Sequence, residues 1–263
     1  QSTEDPHTES LWLAPLDGGE PVQLGVSAGA VRNPAWAPDG SFVVYESNHE
    51  SFRDLYRAPR DGDGLARLTE AKHGSFAPSV GPDGSIAFVS SRDGAARIYT
   101  MGPRGSTQVR FTTRQALEMQ PVWSPDGKHL AWRSPDADAQ RVWVADSDGN
   151  NARAFRKDPV QGAEALDLAW SPDSTRRAVT LRVPGGDVAV DVLDADGALL
   201  ERLDAPGPDE HPAWSPDSAW LVFSSSRNGE PDLYRVDRDG KNLERVTEAP
   251  SADWLPRWIP DAR

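Results

Sequence analysis

The stretch His211-Pro212-Ala213-Trp214-Ser215-Pro216-Asp217, HPAWSPD, decides the reading of the chain, because the chain spells it repeatedly. Its core recurs as Trp36-Ala37-Pro38-Asp39, Val80-Gly81-Pro82-Asp83, Trp123-Ser124-Pro125-Asp126, Trp170-Ser171-Pro172-Asp173 and Trp258-Ile259-Pro260-Asp261. The six aspartates stand 44, 43, 47, 44 and 44 residues apart. A lone Pro-Asp pair carries little information; six in register, five behind a tryptophan, mark a structural repeat.

Each phrase has a local physical job. Proline presets φ for the second position of a type I turn, aspartate suits the third, and Gly40, Gly84 and Gly127 suit the fourth. The aspartate side chain can cap its own turn, so the six anchors read as structural. Apolar residues before the turn, such as Ala213-Trp214, form a first strand. Runs after it, Phe42-Val43-Val44-Tyr45, Ile86-Ala87-Phe88-Val89 and Leu221-Val222-Phe223, form a second, largely buried one. A third strand reads Asp54-Leu55-Tyr56-Arg57, Arg97-Ile98-Tyr99-Thr100, Arg141-Val142-Trp143-Val144 and Asp232-Leu233-Tyr234-Arg235. A fourth is short and polar: Ala66-Arg67-Leu68-Thr69, Gln108-Val109-Arg110-Phe111-Thr112 and Glu244-Arg245-Val246-Thr247, as an outer edge that resists pairing with other chains should be.

Four antiparallel strands per repeat make a blade, and six anchors predict an all-β, six-bladed β-propeller forming a single domain over residues 1–263. Leu11-Trp12-Leu13-Ala14-Pro15-Leu16-Asp17-Gly18 aligns without gaps on Leu233 to Gly240. The N-terminus therefore supplies third and fourth strands, the C-terminus a first strand, and the ring is expected to close through a composite blade. The second strand of that blade is nearly missing; Gln1-Ser2-Thr3-Glu4-Asp5-Pro6 is a poor buried strand, so a trimmed or three-stranded blade is expected.

Composition narrows the function. With 22 Gly and 23 Pro the chain has residues for many turns. Five of its ten tryptophans sit in the repeated phrase and are expected to pack between blades. A net charge of −13 argues against nucleic acid, while leaving room for a local basic patch. No run of about 20 apolar residues is present, so no membrane insertion through such a helix is expected. There is no cysteine, hence no thiolate chemistry.

The units P-x-W-S-P-D-G, apolar run, D-L-Y strand and R-L-T strand resemble the TolB-type propeller repeat over nearly all of residues 10–263. The resemblance implies a six-bladed propeller of the bacterial periplasm or cell surface that binds other proteins around its channel. The N-terminal α/β domain of TolB has no counterpart in these residues. Leu11 to Glu20 is also similar to the propeller of prolyl-oligopeptidase-type peptidases, whose chemistry lies on a separate α/β-hydrolase domain not found in this sequence.

Gly25-Val26-Ser27-Ala28-Gly29 fits G-x-S-x-G formally, but it lies in an inter-blade loop rather than between the strand and helix a nucleophile elbow needs. Turns such as Asp61-Gly62-Asp63-Gly64, Asp194-Ala195-Asp196-Gly197 and Asp237-Arg238-Asp239-Gly240 lack the closing ligand of a calcium loop and read as hairpin turns. The informative positions are those that vary in kind at one place in the repeat. Loops leading into the first strands carry Arg32 and Asn33, His73 and Ser75, Glu118 and Gln120, Glu164 and Asp167, Glu210 and His211, and Asp253 and Trp254. Six radial loops would then ring one mouth of the channel. The expected function is binding of a protein or peptide partner there, without catalysis, metal or cofactor, by a monomer of the bacterial envelope. Two alternatives remain. One is the propeller part of a larger peptidase or sensor. The other is a channel-mouth enzyme, such as a metal-dependent lyase using His73, His211 and Glu118 or Glu210; related propellers of sugar-acid lyases bind a metal through several histidines.

Overall fold

The computed structural model describes residues 11–13, 20–24, 30–48, 52–136, 139–158, 160–248 and 253. Among these residues every regular element is a strand. The first sheet has two strands, β1 (Trp12–Leu13) and β2 (Val22–Gln23), paired antiparallel. Five four-stranded sheets follow in chain order. They are β3 (Val31–Trp36), β4 (Phe42–Ser47), β5 (Asp54–Pro59) and β6 (Ala66–Arg67); then β7 (Ser75–Val80), β8 (Ile86–Ser90), β9 (Arg97–Met101) and β10 (Val109–Arg110). Next come β11 (Met119–Trp123), β12 (His129–Asp136), β13 (Ala139–Asp146) and β14 (Arg153–Ala154), then β15 (Glu164–Trp170), β16 (Arg176–Arg182), β17 (Val188–Asp194) and β18 (Leu199–Leu203). The last sheet holds β19 (Asp209–Trp214), β20 (Trp220–Ser225), β21 (Asp232–Asp237) and β22 (Glu244–Arg245). This is the meander expected from the repeat. The sixth anchor, Trp258 to Asp261, and Gln1 to Pro6 lie outside the described residues, and so does Gly25 to Gly29.

The repeated phrase folds as its chemistry requires. Gly40 N–H donates to the Ala37 carbonyl at 2.8 Å, closing the turn, with φ of +69° at Gly40. The Asp39 carboxylate accepts the Ser41 N–H at 2.9 Å. Asp83, Asp126, Asp173 and Asp217 cap their turns in the same way. In three repeats the serine before the proline adds a second clasp: Ser171 Oγ donates to Asp173 at 2.7 Å and accepts the Arg176 N–H at 2.8 Å. The D-x-D-G turns are likewise self-capped: Asp237 Oδ1 accepts the N–H of Asp239 and of Lys241.

The described residues group into two compact units, Gln1–Trp123 with Asp146–Asn150, and Ser124–Ala145 with Asn151–Arg263. In the first unit Phe42, Val44 and Leu55 share a core with Val80, Ile86, Phe88 and Tyr99 of the next sheet. In the second, Val190, Val192 and Leu203 pack with Trp214, Leu221, Phe223 and Tyr234. Three anchor tryptophans join neighbouring sheets. Trp123 meets Phe111 edge-on at 6.2 Å; Trp170 meets Phe155 edge-on at 5.1 Å and stacks on His129; Trp214 Nε1 donates to the Ala169 carbonyl at 3.4 Å. Trp36 is the exception at 40% exposed.

The fourth strands are shorter than the sequence suggests. In β6 only Ala66 and Arg67 pair with β5, because the residues beyond turn to another task. Arg67 Nη2 binds Asp54 Oδ2 at 2.6 Å, and Thr69 Oγ1 donates to Asp54 Oδ1 while accepting the Leu55 N–H. In the last sheet Arg245 pairs with Asp232 in the same way and Thr247 Oγ1 again accepts the following amide, that of Leu233. Arg67 and Arg245, on strands read as polar outer edges, are thus internal ties.

Candidate functional site

The first strand of a sheet is interrupted at one fixed position, six residues before the turn aspartate. Asn33, Ala77, Gln120 and His211 stand there with φ of +49°, +50°, +52° and +56°. The ladder slips beside them, between Arg32 and Ala35, between Phe76 and Ser79, and between Glu210 and Ala213. Each is followed by proline, which withholds a ladder N–H where the pairing slips. Asp167 occupies the same position but precedes Leu168. Its sheet slips earlier, between Ala165 and Asp167. A bulge of this kind re-aims a side chain out of the sheet.

A second position faces the bulge from the neighbouring strand, seven residues after the turn aspartate, at Glu46, Arg133, Thr180 and Ser224; in the β7–β8 hairpin, which is one residue shorter, Val89 stands there. In the first unit Glu46, 1% exposed, accepts Asn33 Nδ2 at 2.6 Å and the Ala77 N–H at 2.6 Å, and lies 3.3 Å from Arg53. One buried carboxylate thus ties two successive bulges together. In the second unit Arg133 Nη1 donates to the Leu166 carbonyl at 3.1 Å. Burial pushes the Arg133 pKa down, against the pull of the Glu164 and Asp167 carboxylates. His211 Nδ1 lies 3.4 Å from Ser224 Oγ, whose hydroxyl donates to the Glu210 carbonyl at 3.1 Å. Ser224 is 2% exposed, so this pair orients the imidazole and presents no nucleophile.

The residues expected at a rim separate into three groups. Arg32, Asn33, His73, Gln120 and Asp167 are exposed; Glu164, Glu210, His211 and Asp253 are half-buried. Glu164 pairs with Arg182 at 2.7 Å, and the Asp253 N–H donates to the Pro231 carbonyl at 2.8 Å. Ser75 and Glu118 are fully buried. Glu118 accepts the Ile98 N–H at 3.1 Å and the Thr112 hydroxyl, so it closes its own sheet from within. Trp254 lies outside the described residues. Arg32, Asn33, Ser75, Gln120, Glu164, Asp167, Glu210 and His211 belong to strands or their first ladder partners, not to the loops the sequence suggested. Among the described residues no group of three or more His, Asp or Glu side chains is placed to hold a metal ion.

The sequence matches the TolB beta propeller domain over residues 3–161 and 119–263. The chain belongs to the TolB β-propeller family. It is 27% identical over 237 residues to an uncharacterized protein of Agrobacterium fabrum, covering 86% of this chain and 61% of the relative. It is 26% identical over 205 residues to an uncharacterized peptidase of Bacillus subtilis, covering 75% of this chain and 30% of that protein. The crystal structure of TolB from Acinetobacter baumannii superposes with a TM-score of 0.70 at 22% identity, covering 94% of this chain and 62% of TolB. The chain therefore spans less than two thirds of the length of each of these three proteins. The fold is that of a TolB-type, six-bladed propeller, of which the described residues make five four-stranded blades and two strands of another.

Proposed function

We propose that the chain is a non-enzymatic, protein-binding propeller of the bacterial envelope, taking a protein or peptide partner through polar side chains at its first-strand bulges. One observation carries this reading. Backbone and capping chemistry repeat from blade to blade, while the residue at the bulge changes in kind: Asn33, Ala77, Gln120, Asp167, His211. A rigid scaffold with one variable position per repeat is the arrangement of a recognition surface. Asn33, Gln120, Asp167 and His211 supply hydrogen-bonding side chains without a nucleophile activated by a base.

The test is affinity capture from envelope extract of the source organism. The bait is this chain beside a variant with Arg32, Asn33, Asp167 and His211 changed to Ala; Glu118 is left intact because it is buried. A protein held by the first and lost by the second, with both baits folded, supports the reading. Equal recovery by both removes it. The Bacillus peptidase, of which the chain spans 30%, favours a second reading: the propeller part of a larger peptidase, where the same residues would gate or dock substrate. Reading the gene beyond Arg263 decides it, since an adjoining hydrolase domain is required.

A further inference from the structure

Two blades carry the same arginine in the same setting, and only one of them has its carboxylate. In the last sheet Arg227 lies over Phe223 and Tyr234, at 5.5 and 4.7 Å from the ring centroids, and its Nε donates to Ser225 Oγ at 2.8 Å. So held, its Nη2 reaches both oxygens of the fully buried Asp209, at 3.0 and 2.9 Å. In the β7–β10 sheet Arg92 lies over Phe88 and Tyr99 at 5.5 and 4.5 Å, with Nε on Ser90 Oγ at 3.0 Å. The residue eight before the turn aspartate, Asp209 in one sheet, is Ser75 in the other. Arg92 has no carboxylate partner among the described residues; its Nη2 donates instead to the neutral Gln108 Oε1 at 2.8 Å. Gln108 stands where the other blade has Leu243, two residues before the fourth-strand arginine.

Arg92 and Gln108 open onto a cleft of about 600 Å³ that also takes in Arg67, Glu70, Lys72 and His73. Arg67 is committed to Asp54. Lys72 and His73 are exposed, and neither has an ion-pair partner among the described residues. A chain of net charge −13 therefore gathers cations against a single lining carboxylate, Glu70.

We propose that this cleft binds a carboxylate of an acidic peptide segment, with Arg92 as the anchoring fork and Lys72 as a second charge. The blade with Arg227 shows what a guanidinium so fixed accepts: a carboxylate, through charge-assisted hydrogen bonds. The incoming group enters from the cleft and displaces the weaker neutral contact that Nη2 makes with Gln108. The inference rests on the reading of the propeller as a protein-binding module and names the chemistry of its partner.

The probes are dye-labelled heptapeptides followed by fluorescence anisotropy on the full chain. One is rich in Asp and Glu and blocked at both ends, one is its Asn/Gln counterpart, and one has neutral side chains with a free C-terminal carboxylate. The expected result is binding of at least one carboxylate probe and not of the Asn/Gln peptide, weakened by added salt. Which probe binds distinguishes a side-chain carboxylate from a chain terminus. Arg92→Gln should weaken binding at least about tenfold. Ser75→Asp should do the same while keeping the arginine, because it supplies the missing carboxylate internally. If either fails to fold, exposed Lys72→Gln decides, with a several-fold loss expected. Failure of every carboxylate probe to bind, equal binding of the Asn/Gln peptide, or unchanged affinity in the folded variants overturns the proposal. A natural partner captured equally by wild-type and Arg92→Gln baits would leave the protein-binding reading standing and remove this one.

Discussion

Gly197→Ala tests how the blades of the second unit are held. Gly197 lies in the turn between β17 and β18 with φ of +85°. A methyl group there would overlap the Phe155 carbonyl oxygen and lie 3.2 Å from its carbon and 3.3 Å from the Lys157 nitrogen. All three are backbone atoms of the neighbouring blade, and Phe155 is itself tied by its N–H to the Val142 carbonyl at 2.9 Å. No side chain can swing aside, so the turn must back away and lose the 2.7 Å bond from the Lys157 N–H to the Gly197 carbonyl. The left-handed conformation costs an alanine about 1–2 kcal/mol. Relieving the overlap adds about 1–3 kcal/mol and the lost hydrogen bond about 1 kcal/mol. The total is roughly 3–6 kcal/mol. Gly94→Ala is the control: φ is +86° there, but no atom lies within 4 Å of the added carbon, so only the conformational cost remains. Urea unfolding followed by tryptophan fluorescence should separate the two variants by about 2–4 kcal/mol at similar m-values. A difference under about 0.5 kcal/mol would refute the claim that this turn is locked against the next blade's backbone.

The tryptophan anchors should not be equivalent: Trp170→Ala is expected to cost about 3–5 kcal/mol and the exposed Trp36→Ala under about 1.5 kcal/mol, measured by the same unfolding. Asp173 is raised by burial, but the hydroxyl of Ser171, the amide and hydroxyl of Thr175 and the Arg238 charge outweigh that and bring its pKa to about 2. A folded pKa below the unfolded value of 3.8 gives stability present above about pH 4 and lost as pH falls toward 2. Because the side chain is partly exposed, about 1 kcal/mol is expected, and Asp173→Asn should flatten acid unfolding over that window by this amount. Arg227→Met should cost about 3–5 kcal/mol by stranding buried Asp209. Burial already pushes the Asp209 carboxyl up, so this variant should lose stability as pH rises above the unfolded value of 3.8, read from Tm at each pH.

The inner hairpins were legible because their determinants are local. A proline that presets φ, an aspartate that caps two residues on and a glycine or serine at positive φ act within four residues, and the spacing of the phrase then counts the blades. Serine at Ser174 and Ser218 takes the glycine's left-handed role at +60° and +61°. The ends of the fourth strands were less legible: Arg67 and Thr69 look like edge-strand residues, and only the fold brings Asp54 between them. The bulge position was legible in part. Asn33, Gln120, Asp167 and His211 do share one position, and the proline after three of them was the visible sign of the bulge. Ser75 and Glu118 were drawn into the same set because the bulge shifts the alternation of inward and outward residues. Two residues before the bulge, at a different offset from the turn, a side chain points into the sheet. Glu46 and Arg133 were missed for the opposite reason: they lie in strands that read as buried throughout, and their polarity has meaning only opposite a bulge.

A repeated fold contains its own controls, and this bears on how its function is encoded. Where a residue recurs with its charged partner, as Asp54 and Arg67 recur in Asp232 and Arg245, the simplest account is architectural. Where a residue recurs with its setting intact but one partner exchanged, the architecture alone does not account for it. Arg92 keeps the serine and both rings of Arg227 and lacks only the carboxylate. If the arginine served the blade alone, the exchange of Asp209 for Ser75 would leave a fixed guanidinium beside a neutral amide with nothing gained. Restoring the carboxylate by Ser75→Asp should then raise Tm by several degrees, since one charge-assisted pair contributes about 1.5–3 kcal/mol. The same substitution should abolish capture of acidic peptide. A rise in stability coupled to a loss of binding is the signature of a site kept open for a partner, whereas a rise in stability with binding untouched would reduce Arg92 to a second, imperfect copy of Arg227.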